Sequence, residues 1–158
     1  TSEKHIEELK QLLGNKPYRS KTIDQYHFLF AKSIQQVSKS RLEQGSISNN
    51  VEDFQYSDQI LNASGWAFDN QTENSENDSI LIALIKNDAI YLLEANIVER
   101  KDVTAYFNKE NLDNSGFNKT SHLGALDKGE YDVLIIIKKP DGVLLRDSTH
   151  TKRRIQIE

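Results

Sequence analysis

The spacing of apolar positions along this chain changes period partway through. Up to about Leu42 it is helical. Ser2 can cap a first helix that carries Ile6, Leu9, Leu12 and Leu13 on one face and stops at Gly14. A basic turn, "NKPYRSK", follows around Pro17. Thr22 with Gln25 then resembles a capping box, and Ile23, Tyr26, Phe30, Ile34, Val37 and Arg41 follow at helical spacing. This predicts a second helix over about Ile23–Leu42, with "EQGSISNN" as a linker after it.

From Val51 onward the period is that of strands. The segments predicted are Asp53–Tyr56, Gln59–Phe68, Ile80–Lys86, Ile90–Val98, Val103–Phe107, His122–Leu123, Tyr131–Lys138, Val143–Arg146 and Arg154–Ile157. Turn signals such as "KND", "NLDNSG", "LDKGE" and "KPDG" separate them. "KKPDGVLL" is a hairpin signal, because Pro140 presets φ and Gly142 accepts a positive one. No helical period falls between strands, which argues against βαβ units. The expected fold is mainly β: an immunoglobulin-like antiparallel β-sandwich over residues 51–158, preceded by a helical hairpin and linker over 1–50.

Composition narrows the function classes. The chain has 158 residues, 37% of them hydrophobic and 28% charged, enough for one packed domain. Residues 1–50 carry a net +3 and the remainder a net −7, so the whole stands at −4, which gives nucleic acid no reason to bind. Cysteine is absent, which excludes disulfides, thiolate metal sites and cysteine nucleophiles. Methionine is absent even at position 1, which reads as a fragment or a processed form. No stretch approaches the roughly 18 apolar residues of a membrane span.

Four short elements carry a resemblance: "SGWAFD" (Ser64–Asp69), "ERKDVTAYF" (Glu99–Phe107), "NSGFN" (Asn114–Asn118) and "ALDKGEYDVLIII" (Ala125–Ile137). Together they resemble a recurring bacterial β-sandwich module with a GWA, R-x-DV, SGF, L-x-x-G-x-Y pattern, over about half of the chain. That resemblance implies a non-catalytic accessory domain in the extracytoplasmic part of an envelope protein, often one handling surface glycans. It implies no specific ligand. The same residues also have a purely physical reading. Gly65 leaves room for a bulge or a close strand, and Gly116 lets Phe117 turn into the core. Tyr131 can close a sandwich end as a tyrosine corner does.

The candidate site lies where "SGWAF" runs into the polar stretch "DNQTENSENDS". Trp66 with Phe68 can form an aromatic platform for a sugar ring, with Asp69 and Asn70 hydrogen-bonding its hydroxyls. The competing reading places both aromatics, which share one face, in the sandwich core. Arg100 and Asp102, at alternate positions of an expected strand start, can pair with each other or across strands and complete the candidate set. Asp69, Glu73, Glu76 and Asp78 offer oxygens to a cation, but their spacing is not that of a calcium loop, and a solvated loop is the simpler reading. His5, His27, His122 and His150 have no metal-ligand spacing, and no GxSxG elbow or phosphate loop occurs. Lys16, Arg19 and Lys21 read as a solvated turn, Lys152, Arg153 and Arg154 are too few for a nucleic-acid footprint, and the sequons at Asn62, Asn70, Asn77 and Asn118 read as chance in an asparagine-rich chain.

The sequence thus points to a non-enzymatic, cofactor-free interaction module, extracytoplasmic and attached to the membrane through its parent protein. Its partner is a glycan or another envelope protein. The alternative is an assembly module docking through its N-terminal helices, whose apolar face (Ile23, Tyr26, Phe30, Ile34, Val37) needs a cover.

Overall fold

A computed structural model describes residues 34–147 and 153–158. Eleven strands run in chain order as β1 (Gln35–Ser38), β2 (Leu42–Gly45), β3 (Ile47–Ser57), β4 (Ile60–Asp69), β5 (Ser79–Lys86), β6 (Ala89–Glu94), β7 (Asn96–Val98), β8 (Gly116–His122), β9 (Gly129–Lys138), β10 (Leu144–Asp147) and β11 (Arg154–Ile157). One helix, α1 (Lys101–Phe107), and two 3-10 turns, Lys39–Arg41 and Asp113–Ser115, complete the described elements. A seven-stranded sheet has the order β1-β6-β5-β9-β10-β2, with β11 pairing beside β10 on β9. A four-stranded sheet has the order β3-β4-β8-β7. The two face each other as a sandwich around Leu61, Ile82, Phe117, Tyr131, Ile137 and Ile155, all at most 5% exposed.

Three expectations need correcting. The helix expected over Ile23–Leu42 does not reach its predicted end: Gln35–Ser38 and Leu42–Gly45 are strands, and the "EQGSISNN" linker is strand as well. The first helix and the part of the second up to Ser33 lie outside the described residues. Val37 is buried by sheet pairing with Ile90, a contact that helical spacing also allows for and so cannot distinguish. Second, Val103–Phe107 is helix, not strand. Val103 and Phe107 fall on one side under either period, and Asn108 in the left-handed region (φ 53°) ends the turn as a helix cap does. Third, the sandwich is not wholly antiparallel, because β2 and β10 pair in parallel.

Connectivity also dictates the shape of the larger sheet. β1 and β2 stand at opposite ends of its strand order, five steps or about 24 Å apart if the sheet were flat. Only four residue steps join Ser38 to Leu42, a reach of about 14 Å at most. The sheet therefore rolls, turning the face that looks away from the four-stranded sheet in on itself. A second core fills the roll, in which Val37 and Leu42 from the two ends join Leu81, Ile90, Ile136 and Leu144. This is why β5, "SILIALIK", is apolar on both faces.

Other sequence features are found where they were expected. The β9–β10 hairpin turns at Pro140–Gly142, with Lys139 N–H donating to Val143 O at 2.9 Å and Gly142 at φ 93°. β3 bulges between Val51 and Asp53 beside Gly65, where a Cβ would collide with the Asn50 carbonyl. Phe117 is 1% exposed in the main core. Tyr131 is fully buried, and its hydroxyl donates to the Asp127 carbonyl four residues upstream at 2.7 Å, the bond of a tyrosine corner. Burial holds that phenol above its ordinary pKa. Tyr131→Phe is expected to cost about 1 kcal/mol in denaturant unfolding, the net worth of one such bond. No measurable loss would mean that the hydroxyl contributes nothing there.

Candidate functional site

Alternation along β4 decides which side each candidate faces. Leu61, Ala63, Gly65 and Ala67 point into the sandwich, all buried. Trp66 and Phe68 share a face, as the pattern predicts, but it is the outer face of the four-stranded sheet. Neither lies in the sandwich core. α1 and Leu112 cover them instead, forming a separate cluster with Val103 and Phe107. Trp66 stacks on Phe68 at 5.8 Å between ring centres and meets Phe107 edge-on at 5.3 Å. Phe68 is buried, while Trp66 is only half-buried. Beyond Phe107 stands Tyr106, 4.9 Å from it and 82% exposed.

Arg100 enters this face from β7. Gly116 is paired with both Trp66 and Val98, and a Cβ there would strike the Val98 carbonyl and the Arg100 side chain. The missing Cβ lets Arg100 cross the sheet to β3. Its Nε and Nη2 donate to Asp102 at 2.9 and 2.8 Å, while Nη1 and Nη2 donate to Glu52 at 2.5 and 3.1 Å. The shared hydrogen bonds hold both carboxyls below their ordinary range and the guanidinium above its own. Arg100 therefore pairs both ways foreseen, with Asp102 and across strands, but Asp102 sits in the first turn of α1 rather than on a strand. Together they clamp α1 onto the sheet.

Below Arg100 the outer face is a polar surface that carries one carboxylate, Asp53, beside Ser64. Cross-strand register puts Ser64 beside Asn118 and Asn118 beside Asn96; one step further, Gln55, Asn62 and Thr120 align. Asn96 Nδ2 donates to Asn118 Oδ1 at 3.1 Å, and Thr120 Oγ1 donates to Asn62 Oδ1 at 2.5 Å. Except for Ser64, which is half-buried, these six side chains are exposed. Apart from Asp53, the side chains of these two rows are amides and hydroxyls. Sequence reasoning missed this face. The signal was the alternation of Asn62 with Ser64, on the face of Trp66, and of Asn118 with Thr120.

Asp69 and Asn70 lie elsewhere. Asn70 Nδ2 donates to Ser46 Oγ at 2.9 Å, and its Oδ1 accepts from Ser48 Oγ at 2.6 Å, tying the end of β4 to the start of β3. Asp69 is 2% exposed, with Lys139 Nζ 3.2 Å from its Oδ2 and 2.9 Å from Asp78 Oδ2. Gln71 N–H and the Thr72 hydroxyl also donate to Asp69, at 3.0 and 3.3 Å. Burial raises the Asp78 carboxyl, only partly offset by Lys139. Burial alone would lower the Lys139 pKa, but its two carboxylate partners outweigh that and hold it above its ordinary value. Glu73 pairs with Lys109 at 2.8 Å. Lysines thus hold Asp69, Asp78 and Glu73, while Gln71, Thr72, Asn74, Glu76 and Asn77 are exposed as a solvated loop would have them.

Among the described residues, no helix is long and apolar enough to cross a membrane, and no group of three or more His, Asp and Glu side chains is placed to hold a metal ion. No family model matches the chain, and neither curated proteins nor solved structures give a match.

Proposed function

We propose that this chain is a non-catalytic module that binds a neutral glycan on the outer face of its four-stranded sheet, in the extracytoplasmic part of a bacterial envelope protein. We read the sandwich as immunoglobulin-like in its two-sheet layout, with the parallel β2–β10 pair as a departure. One observation carries the glycan reading: a run of hydrogen-bonding side chains, amides and hydroxyls (Gln55, Asn62, Ser64, Asn96, Asn118, Thr120) with one carboxylate, Asp53, lies on the same face as half-buried Trp66. Amides and hydroxyls on a rigid sheet match the donor and acceptor pattern of sugar hydroxyls without the desolvation cost of charges. The face of an aromatic ring matches the C–H groups of an apolar sugar face. Of the residues singled out in the sequence, Trp66 stays in this site. Asp69, Asn70, Arg100 and Asp102 support it by fixing the strand end and α1.

The test uses the chain's single tryptophan as its reporter. Neutral oligosaccharides of glucose and of N-acetylglucosamine are titrated while Trp66 emission is followed. A saturable change is expected with one of them. Calorimetry on the paired variant Asn62→Ala/Asn118→Ala should then show binding weakened about tenfold or more, the equivalent of about 1.4 kcal/mol. The variant's unfolding midpoint should stay in place, because exposed positions carry little stability. No saturable response to either series, or full affinity in the variant, would overturn the reading.

A further inference from the structure

Lys139, Asp69 and Asp78 form a buried group whose makeup goes beyond an ion pair. One ammonium meets two carboxylates, with side-chain exposures of 16%, 3% and 4%. A single lysine cannot neutralise two buried carboxylates, and an excess buried charge is costly. Burial accordingly holds Asp78 above the ordinary carboxylate range, the state suited to a proton carrier. Asp69 is held differently: its Oδ1 takes the Gln71 N–H at 3.0 Å, its Oδ2 the Thr72 hydroxyl at 3.3 Å, and Lys139 Nζ stands 3.2 Å from that same Oδ2. The amine thus touches both the acyl group and the proton carrier, and the oxyanion donor touches the acyl group, at a site where both carboxylates are nearly inaccessible.

We propose that Lys139 and Asp69 condense into an intramolecular isopeptide bond, with Asp78 as the proton carrier. Nζ attacks Cγ of Asp69 and a C–N bond forms. Charge collects on Oδ1, where the Gln71 N–H receives it. The Cγ–Oδ2 bond then breaks and Oδ2 leaves as water. Both protons of that water come from Nζ, ferried by Asp78, which ends as it began. Nothing is oxidised or reduced: one ammonium and one carboxylate become one amide and one water. The product removes two buried charges, which favours it in this environment. It ties the end of β4 to the end of β9, across the two sheets.

Intact-mass measurement of the unaltered protein decides the matter without any variant. The chain is expected to weigh about 18 Da less than its sequence, one water lost. Digestion should yield a branched peptide joining Lys139 to Asp69, and Lys139→Arg should restore the full mass. A mass equal to that of the sequence overturns the bond. A branch at Asp78 overturns the roles assigned to the two carboxyls.

Discussion

Lys139→Met should lower stability in denaturant unfolding by about 3–5 kcal/mol, because it leaves the buried carboxyls of Asp69 and Asp78 with neither the cation nor the amide that Lys139 forms. Lys139 Nζ is within 3.2 Å of both Asp69 and Asp78, and the carboxylates are nearly inaccessible. Without Lys139, the Asp78 carboxyl, already raised by burial, loses the partner that partly offsets the rise. The pH dependence follows from the sign of that shift. A carboxyl with a raised folded pKa binds more protons in the folded than in the unfolded state, so the variant should gain stability as pH falls from neutral toward about 4. A loss below about 1 kcal/mol, with no acid recovery, would mean that the carboxylates are solvated.

Ile136→Ala should cost about 2–5 kcal/mol although its side chain points away from the four-stranded sheet. On an ordinary outer face that truncation would cost a few tenths. Here the rolled sheet closes over the position, and Ile136 is fully buried against Leu134, Ile90 and Leu144. Asp132 provides the internal control. It lies on the same strand and the same side of it, four residues earlier, but is exposed, so Asp132→Ala should stay within about 0.5 kcal/mol. Equal, small effects at both positions in chemical denaturation would contradict the roll.

The Trp66 cluster shows why the candidate site was only half legible. Period two places Trp66 and Phe68 on one face, and that is correct, but it cannot say which face of a sheet looks inward. The deciding residues are distant. The small inward set of Ala63, Gly65 and Ala67 fits closely under the other sheet, while α1, thirty-five residues on, supplies the cover for the aromatics. The same limit hid Lys139. In "LIIIKKPDG" it reads as a solvated hairpin lysine, and nothing local shows that Asp69 and Asp78 meet there.

The sequence by itself determined the β-rich class, most strand positions from Gln59 onward except β8, of which only His122 was foreseen, the Pro140–Gly142 hairpin, the burial of Phe117 and the corner formed by Tyr131. All of these rest on alternation, on φ limits at Gly and Pro, or on contacts a few residues apart. Only the tertiary structure decided the rest: the strands at Gln35–Ser38 and Leu42–Gly45, the rolled sheet and its second core, the helix at Lys101–Phe107, the polar outer face, and the burial of Asp69 with Asp78 around Lys139. Each depends on which segments pair across long separations. A strand edge, an apolar spacing of four or a lone charge has several equally good local solutions, and pairing with distant residues selects among them.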